Sequence, residues 1–272
     1  MKLVTRRLRN LTICLIVVVG LGWLLRSQYQ GLERHAFTSG YILLGVVFFL
    51  AAYNWRKKLP ALPLGSSAFW AQCHIYVGLL SLALFWMHVG LRLPNGVLEI
   101  SLAALFWTVA GSGLYGLYIT RRIPKQLANL REEVIYERIP SQRRLVGEQS
   151  RALALDEGGL ASVTIAQFYV ERLHAFFDRP RSWRYRVWPT SQQRRDLIDA
   201  IRDLQRYCSQ EEQQTAWRLA DLVRKKDDLD YHEAQQWKLK VWLFAHVGLT
   251  YSLLVIATVH GIMAHAFAGG VP

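Results

Sequence analysis

Residues 68–91 read AFWAQCHIYVGLLSLALFWMHVGL, and no Asp, Glu, Lys or Arg interrupts them. About 20 apolar residues are needed to cross the hydrocarbon core of a bilayer, so this stretch is expected to be a transmembrane helix. It nevertheless carries two ionisable residues, His74 and His88. Residues 241–268, VWLFAHVGLTYSLLVIATVHGIMAHAFA, repeat the design with His246 and His260. In both runs the two histidines stand fourteen positions apart. Fourteen residues make nearly four helical turns and a rise of roughly 21 Å, so both rings of a pair share one helix face. One ring then lies near each side of the hydrocarbon layer. Ionisable side chains at that depth are costly and are retained for function.

Three further segments complete the membrane part. Leu11–Leu25 follows Arg6, Arg7 and Arg9, as a signal peptide would. No small-x-small cleavage site comes after it, so an uncleaved anchor is expected. Ala36–Tyr53 and Val97–Thr120 are the second and fourth spans, Ala68–Leu91 the third and Val241–Ala268 the fifth. Of the 20 acidic residues, all but Glu33 and Glu99 fall within 121–238, which marks that segment as water-exposed. The expected fold is therefore all-α: a bundle of five transmembrane helices with a mainly helical cytoplasmic insert. Its divisions are residues 1–120, 121–238 and 239–272.

Positive charge orients the bundle. Lys2, Arg6, Arg7 and Arg9, then Arg56, Lys57 and Lys58, then Arg121, Arg122 and Lys125 share one side if all five segments cross. The opposite loops hold only Arg26, Arg34 and Arg92. The richer side should be the cytoplasm. A bacterial inner membrane is the expected setting, with the amino terminus cytoplasmic and the carboxyl terminus periplasmic.

With that topology the third and fifth spans run parallel. His74 then faces His246 at the cytoplasmic level, and His88 faces His260 at the outer level. Two imidazoles from facing helices are what a six-coordinate haem iron needs, and filling both axial sites favours electron transfer over oxygen chemistry. Two haems b, bound without covalent attachment, are the expected cofactors. A lone apolar-helix histidine is ordinarily a hydrogen-bonded core residue; four with equal spacing on two helices are not explained that way. Zinc prefers closed tetrahedral sites, which two imidazoles per level do not supply.

The paired histidines of Ala68–Thr120 and Lys238–Ala268 resemble the dihaem core of cytochrome b from quinol–cytochrome c oxidoreductases, and more loosely the b561-type cytochromes. That resemblance implies a respiratory-chain role: electron transfer between quinone or quinol and a redox partner subunit. The chain lacks the Pro-Glu-Trp-Tyr motif of the bc-type quinol site. A self-contained b561-type quinol oxidase or metal reductase is the alternative within this chemistry. A transporter or sensor using the histidines for protons or metal is the alternative outside it.

Other residues are candidates in supporting roles. Arg92, one turn past His88, is placed to pair with an outer haem propionate or to snorkel to headgroups. Arg121, Lys238 and Lys240 are its counterparts on the other side. Gly78, Gly111, Gly113 and Gly116 either admit a macrocycle or let helices approach. His35, Glu99 and His265 cluster at the outer face, where Glu99 suits a helix amino terminus or a quinol proton.

Several chemistries find no support. Cys14, Cys73 and Cys208 form neither a CxxC nor a CxxCH motif. Gly111–Gly116 matches GxGxxG, but it sits inside an apolar helix with no strand before it, so no dinucleotide site is expected. In the insert, Thr164 is expected to cap Ile165–Phe177, Ser191 to cap Gln192–Tyr207, and Glu211–Asp228 to form a third helix. Arg181–Trp188 alternates arginine with aromatics, which suggests an extended piece that meets anionic lipid or an acidic partner rather than nucleic acid. His174 and His232 receive no role.

Overall fold

The computed structural model describes residues 9, 12–13, 15–23, 35–56, 66–90, 94–130, 134–155 and 163–268. Among them every regular element is helical. Met1–Leu117 with Trp242–Pro272 forms one compact unit, and Tyr118–Val241 forms another.

Four helices are long and apolar enough to cross a membrane. They are α1 (His35–Arg56), α2 (Ser67–Val89), α3 (Val97–Leu127) and α9 (Gln210–Ala268), whose apolar part begins near Val241. Of the segment Leu11–Leu25, the described residues are helical; Cys14 and the remainder lie outside them, as do Arg92 and Lys57–Lys58. Local signals set the boundaries of α2. Ser66 accepts a hydrogen bond from the Phe69 amide at 3.3 Å, and Gly90, at φ 67°, closes the helix through its amide to the Trp86 carbonyl.

In the first unit α1 and α3 run antiparallel to α2, while α9 runs parallel to it. Contacts at both ends fix these directions: Phe49 stacks on Trp70 and Ser39 reaches His88; His74 meets His246 while His88 and His260 line one cavity; and Ser112 reaches His246 while Glu99 lines that same cavity. A small core takes one residue from each helix, Val47, Phe85, Phe106 and Leu253, with the Phe85 and Phe106 rings stacked at 4.3 Å. Leu253 lies midway between His246 and His260, so this plug separates the two histidine levels. Large apolar side chains face outward instead: Phe244 is 78% exposed, and Trp86, Val255 and Ile262 are exposed too. Helical Ser and Thr hydroxyls bond back to their own helix, as Thr108 to Ala104 and Thr250 to His246. That satisfies these hydroxyls within their own helices on an apolar face.

The second unit has the ordinary polarity of a water-exposed domain. Its helices are α4 (Ile139–Leu155), α5 (Val163–Phe168), α6 (His174–Asp178), α7 (Trp183–Val187), α8 (Gln192–Leu204) and the first part of α9. A π-helical turn, Tyr169–Leu173, joins α5 to α6 and puts Tyr169 and Leu173 in the core. They pack with Ile139, Val146, Phe176, Ile201, Leu219 and Val223.

Several expectations for this unit are corrected. Thr164 lies inside α5, which has already begun at Val163. Ser191 precedes α8 but makes no side-chain cap; its hydroxyl accepts from Arg195 instead. Residues 183–187 form a helical turn, not an extended strand. Arg181 stacks over the Tyr185 ring at 4.7 Å, a contact between neighbours four apart that an extended chain forbids. The expected helix Glu211–Asp228 is the start of α9, which continues unbroken into the apolar segment. His174 pairs with Asp178 one turn on, at 3.0 Å.

Candidate functional site

The four histidines of the apolar helices α2 and α9 fall into two places. At one level α2 and α9 bring the rings of His74 and His246 to a centroid separation of 6.4 Å, nearly perpendicular at 82°. Tyr53 of α1 lies 4.9 Å from His74, and Trp242 stacks on His246 at 5.6 Å. The second ring is oriented from α3. Ser112 Oγ lies 2.6 Å from His246 Nδ1 and donates its one proton to the Val109 carbonyl at 2.9 Å. With that proton committed, the oxygen accepts from His246 Nδ1–H. The other ring nitrogen, Nε2, is then the unprotonated one, the tautomer a metal ligand requires.

Glycine makes this approach possible. A methyl group on Gly116 would come 1.8 Å from the Trp242 ring, and one on Gly113 would touch His246 at 3.6 Å. Trp242 also donates its indole N–H to the Ser112 carbonyl at 2.8 Å. Gly78 and Gly111 meet nothing within 4 Å, so close packing requires neither.

At the other level His88 and His260 line one cavity of about 520 Å³ between α1, α2, α3 and α9. Its walls are mainly apolar, including Val47, Phe85, Leu102 and Phe106. Fully buried Ser39 places its hydroxyl 3.1 Å from His88 Nδ1, the same ring position that Ser112 holds on His246. Gly40 stands against the same ring; a Cβ there would lie 2.9 Å from it. Glu99 lines the cavity and accepts from the Asn95 amide at 3.0 Å, so it also closes the turn that starts α3. His265 lies apart, between the rings of Phe37 and Tyr41 at 5.5 and 5.8 Å.

Arg92 and the side chain of His35 lie outside the described residues. Lys240 is engaged by Glu137 at 3.0 Å and sits over the Tyr136 ring, so it is no free counterion for a propionate. Ser39, Gly40, Ser112 and Trp242 were not evident from the sequence. Their signal is positional, and it appears only when a neighbouring helix is in place.

The donor set limits what could bind. Among the described residues no group of three or more His, Cys, Asp or Glu comes together as a metal-binding cluster. Two facing imidazoles complete the coordination only of a metal that brings its other ligands with it. A metal held on both sides by imidazole nitrogens about 2 Å away sets the ring centroids about 6 Å apart, which is the separation of His74 and His246. The wide apolar cavity at His88 and His260 suits a large planar apolar group. No protein-family model, curated protein or solved structure matches this chain.

Proposed function

We propose that this chain is a membrane-spanning b-type cytochrome that binds two haems and moves electrons across the bilayer. His74 with His246, and His88 with His260, are the residue pairs that would hold the two haem irons. The observation that carries the reading is the 6.4 Å separation of the His74 and His246 rings. It is reinforced fourteen residues along the same two helices, where His88 and His260 line a shared apolar cavity.

When bound, each haem would supply a one-electron iron couple. The chain's own residues do the rest. The two histidines of each pair would hold the iron through their imidazole nitrogens, which favours electron transfer over oxygen chemistry. Ser112 holds His246 in the ligating tautomer, and Ser39 fixes the ring of His88. The apolar plug at Phe85, Phe106 and Leu253 keeps water from the path between the levels.

The proposal includes five crossings, an amino terminus and insert in the cytoplasm, and a periplasmic carboxyl terminus in a bacterial inner membrane. Its electron partners are quinone or quinol and a redox protein. The test is a pyridine haemochrome assay with reduced-minus-oxidised spectra on the purified full chain. Two haems b per chain are expected. His88→Ala should remove one and leave the other, and His74→Ala should remove the complementary one. A chain that binds no haem when expressed with ample haem would overturn the reading in favour of a transporter or sensor.

A further inference from the structure

The insert holds a second site that the electron path does not use. Between α6, α7 and α8 lies a cleft of about 620 Å³. Arg172, Arg179 and Arg184 stand on it, exposed, and among the described residues none of them pairs with a carboxylate. By contrast Arg143, Arg181, Arg186 and Arg194 each reach one or more acids, and the exposed Arg202 and the half-buried Arg224 have acidic neighbours one turn away.

The cleft floor is cationic as well. Lys226, 0% exposed, and Arg181 lie beneath, and both lean on the face of Phe176, at 4.5 and 4.9 Å. Asp227 and Asp230 satisfy those two from below, so they do not count toward the free charge. Asp196 is the one acid on the cleft wall. Three uncommitted guanidiniums against one carboxylate leave a net positive mouth. Pro180 and Pro189 bracket the segment that carries Arg184, and Arg181 pins that segment to Asp227 and Asp230. The Arg184 guanidinium is thus presented from a braced turn, with the hydroxyls of Ser182 and Thr190 on the same cleft.

Planar forks of donors converging on a cleft match the tetrahedral oxygens of a phosphate group. We infer that this cleft binds a phosphate-bearing anion. The group belongs either to a soluble phosphate compound or to the headgroup of an anionic lipid.

Hydrogen–deuterium exchange on the full chain tests this and tells the sources apart. In detergent the probe is inorganic pyrophosphate. In nanodiscs it is phosphatidylglycerol mixed into phosphatidylcholine, against phosphatidylcholine alone. Slowed exchange across residues 172–188 with pyrophosphate identifies a soluble phosphate; slowing with phosphatidylglycerol alone identifies a lipid headgroup. The variant Arg172→Gln/Arg179→Gln/Arg184→Gln breaks no ion pair and should keep its melting temperature. Its half-saturating ligand concentration should rise at least about tenfold, since each charge-assisted hydrogen bond contributes about that factor. Arg202→Gln/Arg206→Gln, with two exposed charges removed elsewhere, should bind as the parent does. No protection by either probe overturns the inference, and so does an equal loss in the control variant, which would show only a net-charge effect. Haem content plays no part in the readout, so this site and the cytochrome reading can fail separately.

Discussion

Ser112 connects two helices through a single hydroxyl, bonded to the Val109 carbonyl on one side and His246 Nδ1 on the other. Removing it leaves His246 free to turn or to change tautomer. Outer hydrogen-bond partners of metal-bound imidazoles typically contribute 10–100-fold to metal affinity. Ser112→Ala should therefore lower haem retention at the His74–His246 level by about that factor and shift the midpoint potential of that haem alone. Ser112→Thr, which keeps the hydroxyl, should restore both. Redox titration with spectral deconvolution of the two haems reads the result, and an unchanged potential in Ser112→Ala would refute the role. At this scale the sequence was unevenly legible. Histidines in an apolar run declare themselves because nothing else explains their desolvation. Serines do not, since Ser81 and Thr108 show that hydroxyls in such helices usually just bond to their own backbone. Ser112 does that too, and its second bond appears only once α9 is beside it.

Helix type and span length were legible in residues 35–127 because apolar runs are separated by basic turns. Two features of the elements were not. The first is that α9 is one helix: its hydropathy changes abruptly near Val241, which reads as a boundary. Yet residues 210–247 contain neither Gly nor Pro, and nothing in them stops a helix. Its start is defined by a capping box, with Ser209 Oγ accepting from the Glu212 amide and Glu212 accepting from the Ser209 amide. The second is how closely α3 and α9 approach, because four glycines of α2 and α3 look equivalent in sequence and are not. Gly116 faces the Trp242 ring, whereas Gly78 faces open space. Gly116→Ala should destabilise the detergent-solubilised protein by about 1–3 kcal/mol, as overpacking does. Gly78→Ala should stabilise it by about 0.5–1 kcal/mol, by reducing the backbone freedom lost on folding. Thermal melts should therefore move in opposite directions; a shared direction would mean that the α3–α9 approach is not the tight one.

Over the whole molecule the two units are built on opposite plans, one with apolar side chains outside and the other with charge inside. Acidic residues concentrated in 121–238 made the second plan visible in outline, but not that Asp227 and Asp230 among them are buried. Asp230 carries the arrangement: it takes Lys226 at 2.6 Å, Arg181 at 3.0 Å and Arg143 at 3.0 Å while almost wholly buried itself. Asp230→Asn leaves three cations without that carboxylate and should cost about 3–5 kcal/mol. Lys226→Met should be nearly neutral, because Asp230 keeps both arginines and methionine fills a similar volume. The two variants also differ from the parent in their response to pH. Burial, with Arg181 and Arg143 adding to it, holds the Lys226 ammonium below its ordinary 10.5, and the attraction of Asp230 offsets only part of that. The folded chain therefore binds this proton less tightly than the unfolded chain does. Between the lowered native value and 10.5, stability should rise with pH, and below the native value the full penalty is present. Lys226→Met lacks the group, so subtracting its stability curve from the parent's should isolate that rise. Amide exchange of residues 216–229, followed from neutral pH to just below 10, measures it after correction for the intrinsic exchange rate. A difference that stays flat, or that falls with pH, would show that Asp230 outweighs burial and that Lys226 is a net stabilising ion pair.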